Sequence, residues 1–351
     1  MVLNGAKSAA AAKAAIVSFG CVMITVFSEP CRQGAAQGVE LCLGVLAPSL
    51  FPFLAATNLF VNSGACAATG RLLQRPSAAL FGVGGAAAPV ILLSLIGGYP
   101  AGACGVAALH RQGSISDGEA QRTALFAVGA GPGFLISYVG SSLCHSQTLG
   151  YILLAAQALS VIIMGTGLRI VFGKADNISA KENKPPPLPF SESLVLSVTD
   201  AARSVLVICA FVTAFSAAMG VAAGILPESV TTVLYAAADV SGGVTRLANG
   251  HSAEAIAFAA GFGGLCVHFQ IFAALGSVKV NKLLFFLIRI IQGLITAALT
   301  HFGLLLFPVR TAVFSTRAAP VPASGGSGAL SGAVVVAVCI CFLISIKQYR
   351  R

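Results

Sequence analysis

Leu95-Ile-Gly-Gly-Tyr-Pro-Ala-Gly-Ala-Cys104 is the stretch that decides how this chain is read. It lies inside an apolar run that begins near Ser77. Two adjacent glycines and a proline interrupt a helix where a membrane span gains nothing from interruption. Non-helical backbone at membrane depth is tolerated only when protein buries it or when it lines a wet cavity. The stretch therefore predicts a broken helix or re-entrant hairpin that forms part of a solute site.

The rest of the chain sets that break in a bilayer. Of 351 residues, 57% are hydrophobic and 9% are charged, against about 25% charged in a soluble protein. The mean hydropathy is +0.91. This composition predicts an all-α polytopic membrane protein. A net charge of +10 would suggest nucleic acid in a soluble chain. Here the basic residues lie between apolar runs without aromatic interleaving, so positive-inside sorting explains them and no nucleic-acid partner is expected. Most of the ten cysteines lie within apolar spans with no CxxC among them, which reads as small packing residues.

Five regions follow. Residues 1–39 read as an uncleaved signal-anchor helix: Lys7 and Lys13 precede the apolar stretch Ala14–Phe27, and no small-x-small cleavage site follows. Residues 40–172 and 204–307 read as two related halves. Residues 173–203 between them hold a charged, proline-rich linker, Lys184 to Pro189, and an interfacial helix at Leu194–Arg203. Residues 308–351 read as a loop and a last membrane helix. Each half is expected to run as continuous helix, broken segment, broken helix with an acidic start, continuous helix. Gly97-Gly98 is matched by Gly242-Gly243, Glu119 by Glu254, and the glycines at 129–133 by those at 261–264. Such internal repeats are common in transporters.

Charge orients the halves. With a cytoplasmic N-terminus and the first broken segment returning to its own side, fifteen lysines and arginines fall inside. Arg32, Arg246, Arg310 and Arg317 fall outside, and Arg169 and Arg289 lie in or near spans. Both termini are then cytoplasmic and the repeats are inverted, with fully crossing broken segments as the alternative.

Several motifs carry a resemblance. Pro48-Ser-Leu-Phe-Pro-Phe53, Gly97-Gly-Tyr-Pro-Ala-Gly102, Gly118-Glu-Ala120, Asp239-Val-Ser-Gly-Gly243 and Gly263-Gly-Leu-Cys-Val-His-Phe-Gln270 resemble the Gate-domain (nucleoside recognition) membrane proteins, specifically the sporulation integral membrane protein YlbJ group. The likeness covers about residues 40–310. It implies a nucleoside-transporter-like gate architecture and a role in moving small solutes, nucleoside-like or anionic and dipicolinate-like, in the membrane of a bacterial cell or spore envelope. Where that family carries a glutamate this chain has Asp239, a carboxylate shorter by one methylene. Related iron transporters join a gate to a GTPase, and this chain has no GxxxxGK[ST].

The candidate substrate-binding residues are those at the breaks. Gly97, Gly98, Tyr99, Pro100 and Gly102 would expose backbone groups beside a helix N-terminus, which suits a carboxylate or phosphate. Gly131 and Pro132, then Ser241, Gly242 and Gly243, then Gly263 and Gly264, read the same way. Close helix packing through small residues is the alternative. Asp239 is the intramembrane acid, placed to accept a coupling proton, bind a cation or hydrogen-bond the solute; a boundary residue is the alternative. His268 and Gln270 follow the last break, with His268 as a proton-sharing group or a core histidine. Glu119 and Glu254 read as first-turn caps, and Asp200 with Arg203 as an exposed i,i+3 ion pair.

No HExxH, GxSxG or paired carboxylates occur, so no enzyme, cofactor or metal is expected. The expected function is alternating-access transport of a small polar or anionic solute, with a coupling ion or proton as candidate second partner. The other reading is a non-transporting scaffold for spore or envelope assembly. An oligomer is compatible with either.

Overall fold

The computed structural model describes residues 2–175, 189–250 and 252–308, and among them every regular element is helical. Five described helical stretches are long and apolar enough to cross a membrane, or six if a sharply bent pair counts as one span. This is an all-α polytopic membrane protein. The last helix expected near residues 330–346 and most of the proline-rich linker lie outside the described residues.

Helix α1 (Val2–Val26) leads into α2 (Ser28–Leu41), a π-type turn at Cys42–Leu46 and α3 (Ala47–Asn62). A helical proline lacks an N–H and crowds the carbonyl four residues back. For Pro48 that carbonyl belongs to Gly44, inside the π-type turn, where the backbone is already widened. The kinked span expected at Glu40–Val61 is therefore the second part of a longer stretch, Ser28–Asn62. The boundary placed between residues 39 and 40 falls inside it.

The helix α2 half of that stretch packs on α9 (Phe190–Ile225) through glycines. A Cβ on Gly38 would lie 2.9 Å from Thr213 Cα, and one on Gly34 would run into the Ser216 carbonyl. Gly34 and Gly38 are four apart, as are Gly220 and Gly224 on α9. Small residues at this spacing let backbones approach closely, which replaces the hydrophobic drive that lipid does not supply.

In the first half, α4 (Ala65–Leu80) turns through 103° into the segment Gly85–Gly97, whose main part is α5 (Ala88–Gly97). The chain breaks at Gly98 and resumes as α6 (Tyr99–Arg111). Next, α7 (Asp117–Phe126) starts in a capping box in which Ser116 and Glu119 satisfy each other's backbone N–H. Glu119 also accepts from Gly84 N at 2.6 Å, tying α7 to the 103° bend. An irregular stretch, 127–132, leads to the π-helical segment Gly133–Leu143, and α8 (Gln147–Phe172) closes the half.

The second half runs in a similar order, without a counterpart of the bent α4. After α9 come α10 (Glu228–Ala238), a break at Asp239, α11 (Val240–Ala248), α12 (Ala253–Phe262), a break at Gly263, α13 (Gly264–Leu275) and α14 (Lys282–Leu306). Helices α3 and α9 pack together, as do α8 and α14, so corresponding elements meet. Ser252 caps α12, while Glu254 sits in its first turn and bonds His301 of α14 at 2.9 Å.

Two expectations need correcting here. The separate interfacial helix at Leu194–Arg203 does not exist, because α9 runs unbroken for 36 residues with no glycine or proline before Gly220. Asp200 does not pair with Arg203 one turn on. It pairs with Arg111 of α6 at 3.2 Å, a contact between helices that no intrahelical spacing reveals.

Candidate functional site

The breaks come together in pairs, backbone against backbone. Gly98 has φ +80 and ψ −171, a conformation essentially confined to glycine. A Cβ on Gly131 would lie 3.0 Å from Gly98 N, so the two breaks of the first half abut. In the second half a Cβ on Gly264 would lie 3.0 Å from Val240 N, so the break at Gly263 abuts the one at Asp239. In each half, then, the two breaks lie side by side.

One correction concerns the second half's first break. It was expected at Ser241-Gly242-Gly243 and lies at Asp239, whose backbone is extended (φ −137, ψ 120). Asp239 Oδ2 accepts from Gly242 N at 2.7 Å and caps α11. Ser241, Gly242 and Gly243 are helical. Gly243 is small because α10 passes close, a Cβ there lying 2.6 Å from Ala236 Cα. The α11 N-terminus, read from sequence as an anion-binding pole, is already taken by the chain's own carboxylate.

A cavity of about 530 Å³ lies among these elements. Of the candidate residues, Gly97, Gly98, Tyr99, Pro100, Gly131, Asp239, Ser241 and Gln270 line it. Its remaining wall is mostly apolar, from α3 and the π-helical segment, with the hydroxyls of Ser49, Ser137, Ser142 and Tyr138 added. A second cavity of about 200 Å³ beside Arg111, Asp200 and Arg203 shares Pro100, Ile208 and Gln270 with it. A third, of about 1070 Å³ beside Glu228 and Arg246, shares Tyr138, Asp239 and Ser241. The central cavity therefore lies between two others, each separated from it by a few shared side chains.

One of those separations is hydrogen-bonded. Thr245 donates to Ser241 O at 2.8 Å, so the 2.9 Å bond between the Tyr138 and Thr245 hydroxyls has Tyr138 as donor. It links the π-helical segment of the first half to α11 of the second.

Other candidates do structural work. His268 does not line the cavity; it donates Nε2–H to Phe262 O at 2.8 Å, its ring held edge-on by Phe262, Phe285 and Phe286. Gly102 lets α6 approach the Ala127 carbonyl, and Gly263 lies under the Tyr99 ring. Gly264 seats the neighbouring break, Gly242 lines only the third cavity, and Pro132 precedes the π-helical segment without lining the central one. The Tyr99 hydroxyl is directed at Ala260 O, away from the cavity.

The residue that sequence reading passed over is Arg289. It is fully buried in α14. Its guanidinium donates to Phe262 O at 3.1 Å, to Val128 O at 2.5 Å, to Gly261 O, and to Gln292 Oε1 at 2.7 Å. Those carbonyls end α12 and follow α7, where helix C-termini carry partial negative charge. One side chain thus joins the second breaks of both halves, and its carbon Cζ stands 5.7 Å from the centre of the Tyr99 ring. The sequence signal was a lone arginine seven residues into an otherwise apolar span.

Among known proteins, the chain is 29% identical over 167 residues to the sporulation integral membrane protein YlbJ of Bacillus subtilis (strain 168). The matched stretch covers 47% of this chain and 41% of that relative. No family model matches the chain. No solved structure matches it.

Proposed function

We propose that this chain carries a small polar solute across a bacterial membrane by alternating access, with the solute held in the central cavity beside the breaks at Gly98, Gly131 and Asp239. The observation behind this reading is that cavity's position, walled by breaks from both halves and flanked on two sides by further cavities. A scaffold has no need of backbone opened at three places around one space. Glycine-rich breaks at matched positions are how transporters present backbone groups to a solute. The gate-like architecture, the inverted repeats and the cytoplasmic termini belong to the same reading. So does an association with sporulation, drawn from the likeness to YlbJ.

Asp239 is the group assigned to meet the solute or a coupling proton. Asn caps a helix about as well as Asp, so Asp239→Asn removes the charge and keeps the cap. The test is flux in reconstituted vesicles across a panel of small solutes, with Asp239→Asn and Gly98→Leu beside the native chain. Transport by the native chain that both variants lose supports the reading. If no solute moves while a partner protein co-purifies at fixed stoichiometry, the scaffold reading replaces it.

A further inference from the structure

We infer that α4 is a docking surface for the headgroups of anionic phospholipids, with Arg71 and Arg75 taking the phosphate and Leu72 and Leu80 lying among the acyl chains. This surface stands apart from the cavities, and its lipid can be tested whether or not a solute moves.

Helix α4 runs along one end of the bundle instead of through it. Its 16 residues span about 24 Å at the rise of an α-helix. At its start it follows α3 closely, and Asn62 at that end accepts from Gln112, just past α6, at 3.1 Å. Beyond its C-terminus, Gly84 donates to Glu119 in the first turn of α7. The end of α6 and the start of α7 are themselves joined, His110 to Asp117 at 2.6 Å. Both ends of α4 therefore lie on one face, and the next segment leaves at 103°. The same face is where α8 ends. Ala175 N donates to Gly82 O at 2.8 Å, just past the exposed Ile170, Val171 and Phe172. A helix placed along the ends of apolar spans lies at the level of the lipid headgroups.

Three strips run along α4. Cys66, Gly70 and Ser77 are buried against the bend. A Cβ on Gly70 would lie 2.8 Å from Gly85 O, Cys66 Sγ stands 3.2 Å from Ala86 O, and Ser77 donates to Gly84 O at 3.3 Å. Leu72, Pro76 and Leu80 recur every four residues along one flank, and Leu72 is 82% exposed. Arg71 and Arg75, also four apart, are exposed on the other flank. Among the described residues neither arginine has a hydrogen-bond or ion-pair partner.

An apolar flank beside a basic one is the pattern of a helix that lies in the interface and is drawn to anionic lipid. A zwitterionic lipid would bring a cation of its own to two arginines with no described acid beside them. A guanidinium meets a phosphate with two parallel N–H donors. A lipid whose only headgroup charge is that phosphate leaves nothing repelled. Lys174 is exposed at the end of α8, and Arg169 Cγ would lie 3.1 Å from a Cβ on Gly82. Both add positive charge at the C-terminal end of α4. Gln74 accepts from Gly85 N at 2.6 Å, so whatever anchors α4 also holds the start of the segment that ends at Gly98.

The experiment uses the full-length chain in phosphatidylcholine nanodiscs that carry a trace of one photoactivatable lipid. That lipid is phosphatidylglycerol or phosphatidylcholine with the same diazirine-bearing acyl chain. On irradiation the diazirine loses N2 and the carbene inserts into a neighbouring bond, and peptide mass spectrometry counts adducts at residues 65–82. Adducts on α14, where Ile290, Ile291 and Leu294 are exposed, report folding and correct for lipid dose.

A basic residue near an anionic surface contributes about a fivefold preference. After correction, phosphatidylglycerol should label α4 at least about tenfold more than phosphatidylcholine. Arg71→Gln with Arg75→Gln should lower that ratio at least about fivefold with α14 labelled as before, while Arg71→Lys with Arg75→Lys should keep most of it. Equal labelling of α4 by the two lipids in the native chain, or none by either, overturns the inference. A ratio that the glutamine pair leaves unchanged overturns the assignment to Arg71 and Arg75, and a lysine pair no better than glutamine overturns recognition by charge. Inorganic phosphate that abolishes the preference at constant ionic strength would mark a free-phosphate site and overturn the lipid assignment.

Discussion

Replacing Arg289 by methionine tests whether one guanidinium holds the second breaks of both halves together. The native side chain satisfies the carbonyls of Val128, Gly261 and Phe262 and the amide oxygen of Gln292. A hydrogen bond from a charged donor contributes about 1.5–3 kcal/mol net. Simple addition would overshoot, because methionine also relieves the burial of a charge. An apolar replacement is harmless only when both partners of a buried polar pair are replaced, and backbone carbonyls cannot be. The expected loss is therefore about 2–5 kcal/mol: the carbonyls of Val128 and Gly261 are left unsatisfied at about 1–3 kcal/mol each, while Phe262 O keeps its bond from His268. The assay is an unfolding titration in mixed micelles with SDS, followed by loss of helical signal. Arg289→Lys keeps the charge but has one nitrogen where the native fork has three, so it should recover less than half of the loss. A loss below about 1 kcal/mol for Arg289→Met, the size of one ordinary hydrogen bond, would refute the clamp.

Three further outcomes are expected. Gly98→Ala should cost about 1–3 kcal/mol through backbone strain alone, since a Cβ there has ordinary room, 3.4 Å from Gly131 N; a stability change within error in the same titration would show that the break relaxes. Tyr138→Phe should cost about 0.5–1.5 kcal/mol, and a double-mutant cycle with Thr245→Val should show that most of this is shared, whereas strictly additive losses would mean that the hydroxyls do not bond. Glu119→Ala should cost about 1–3 kcal/mol, because both Gly84 N and Ser116 N lose their acceptor; faster hydrogen exchange confined to residues near 84 and 116 is the signature to look for.

The breaks were legible where glycine conformation itself makes them. Gly98 and Gly263 stand at positive φ in interrupted apolar runs, and both could be read from the chain. The break at Asp239 was misplaced by two residues because its adjacent glycines look like the cause. They are helical, and one of them is small only because α10 passes close by, a fact about a neighbour and not about local propensity. Glu119 was readable as a cap because a capping box is a four-residue pattern. The Arg111–Asp200 pair, the Tyr138–Thr245 bond and the α3 wall of the cavity join residues far apart in sequence, so no periodicity announces them. Arg289 was visible as an oddity but not as a clamp, since its acceptors are carbonyls, which every residue carries. His268 was the reverse case, a residue of attractive chemistry that the fold encloses in aromatic rings.

The carboxylate of Asp239 stands at a junction of two demands. It closes the first turn of α11, a helix of nine residues, and it faces the cavity. An N-cap is worth about 0.5–2 kcal/mol, a large share of what so short a helix has to hold its start. A solute that draws on the same oxygen would weaken its bond to Gly242 N, so under the proposed function occupancy and the tightness of that turn would compete. The exchange would set a ceiling on how firmly a solute could be retained there. Retention of a solute and the closing of the first turn would then draw on one hydrogen bond.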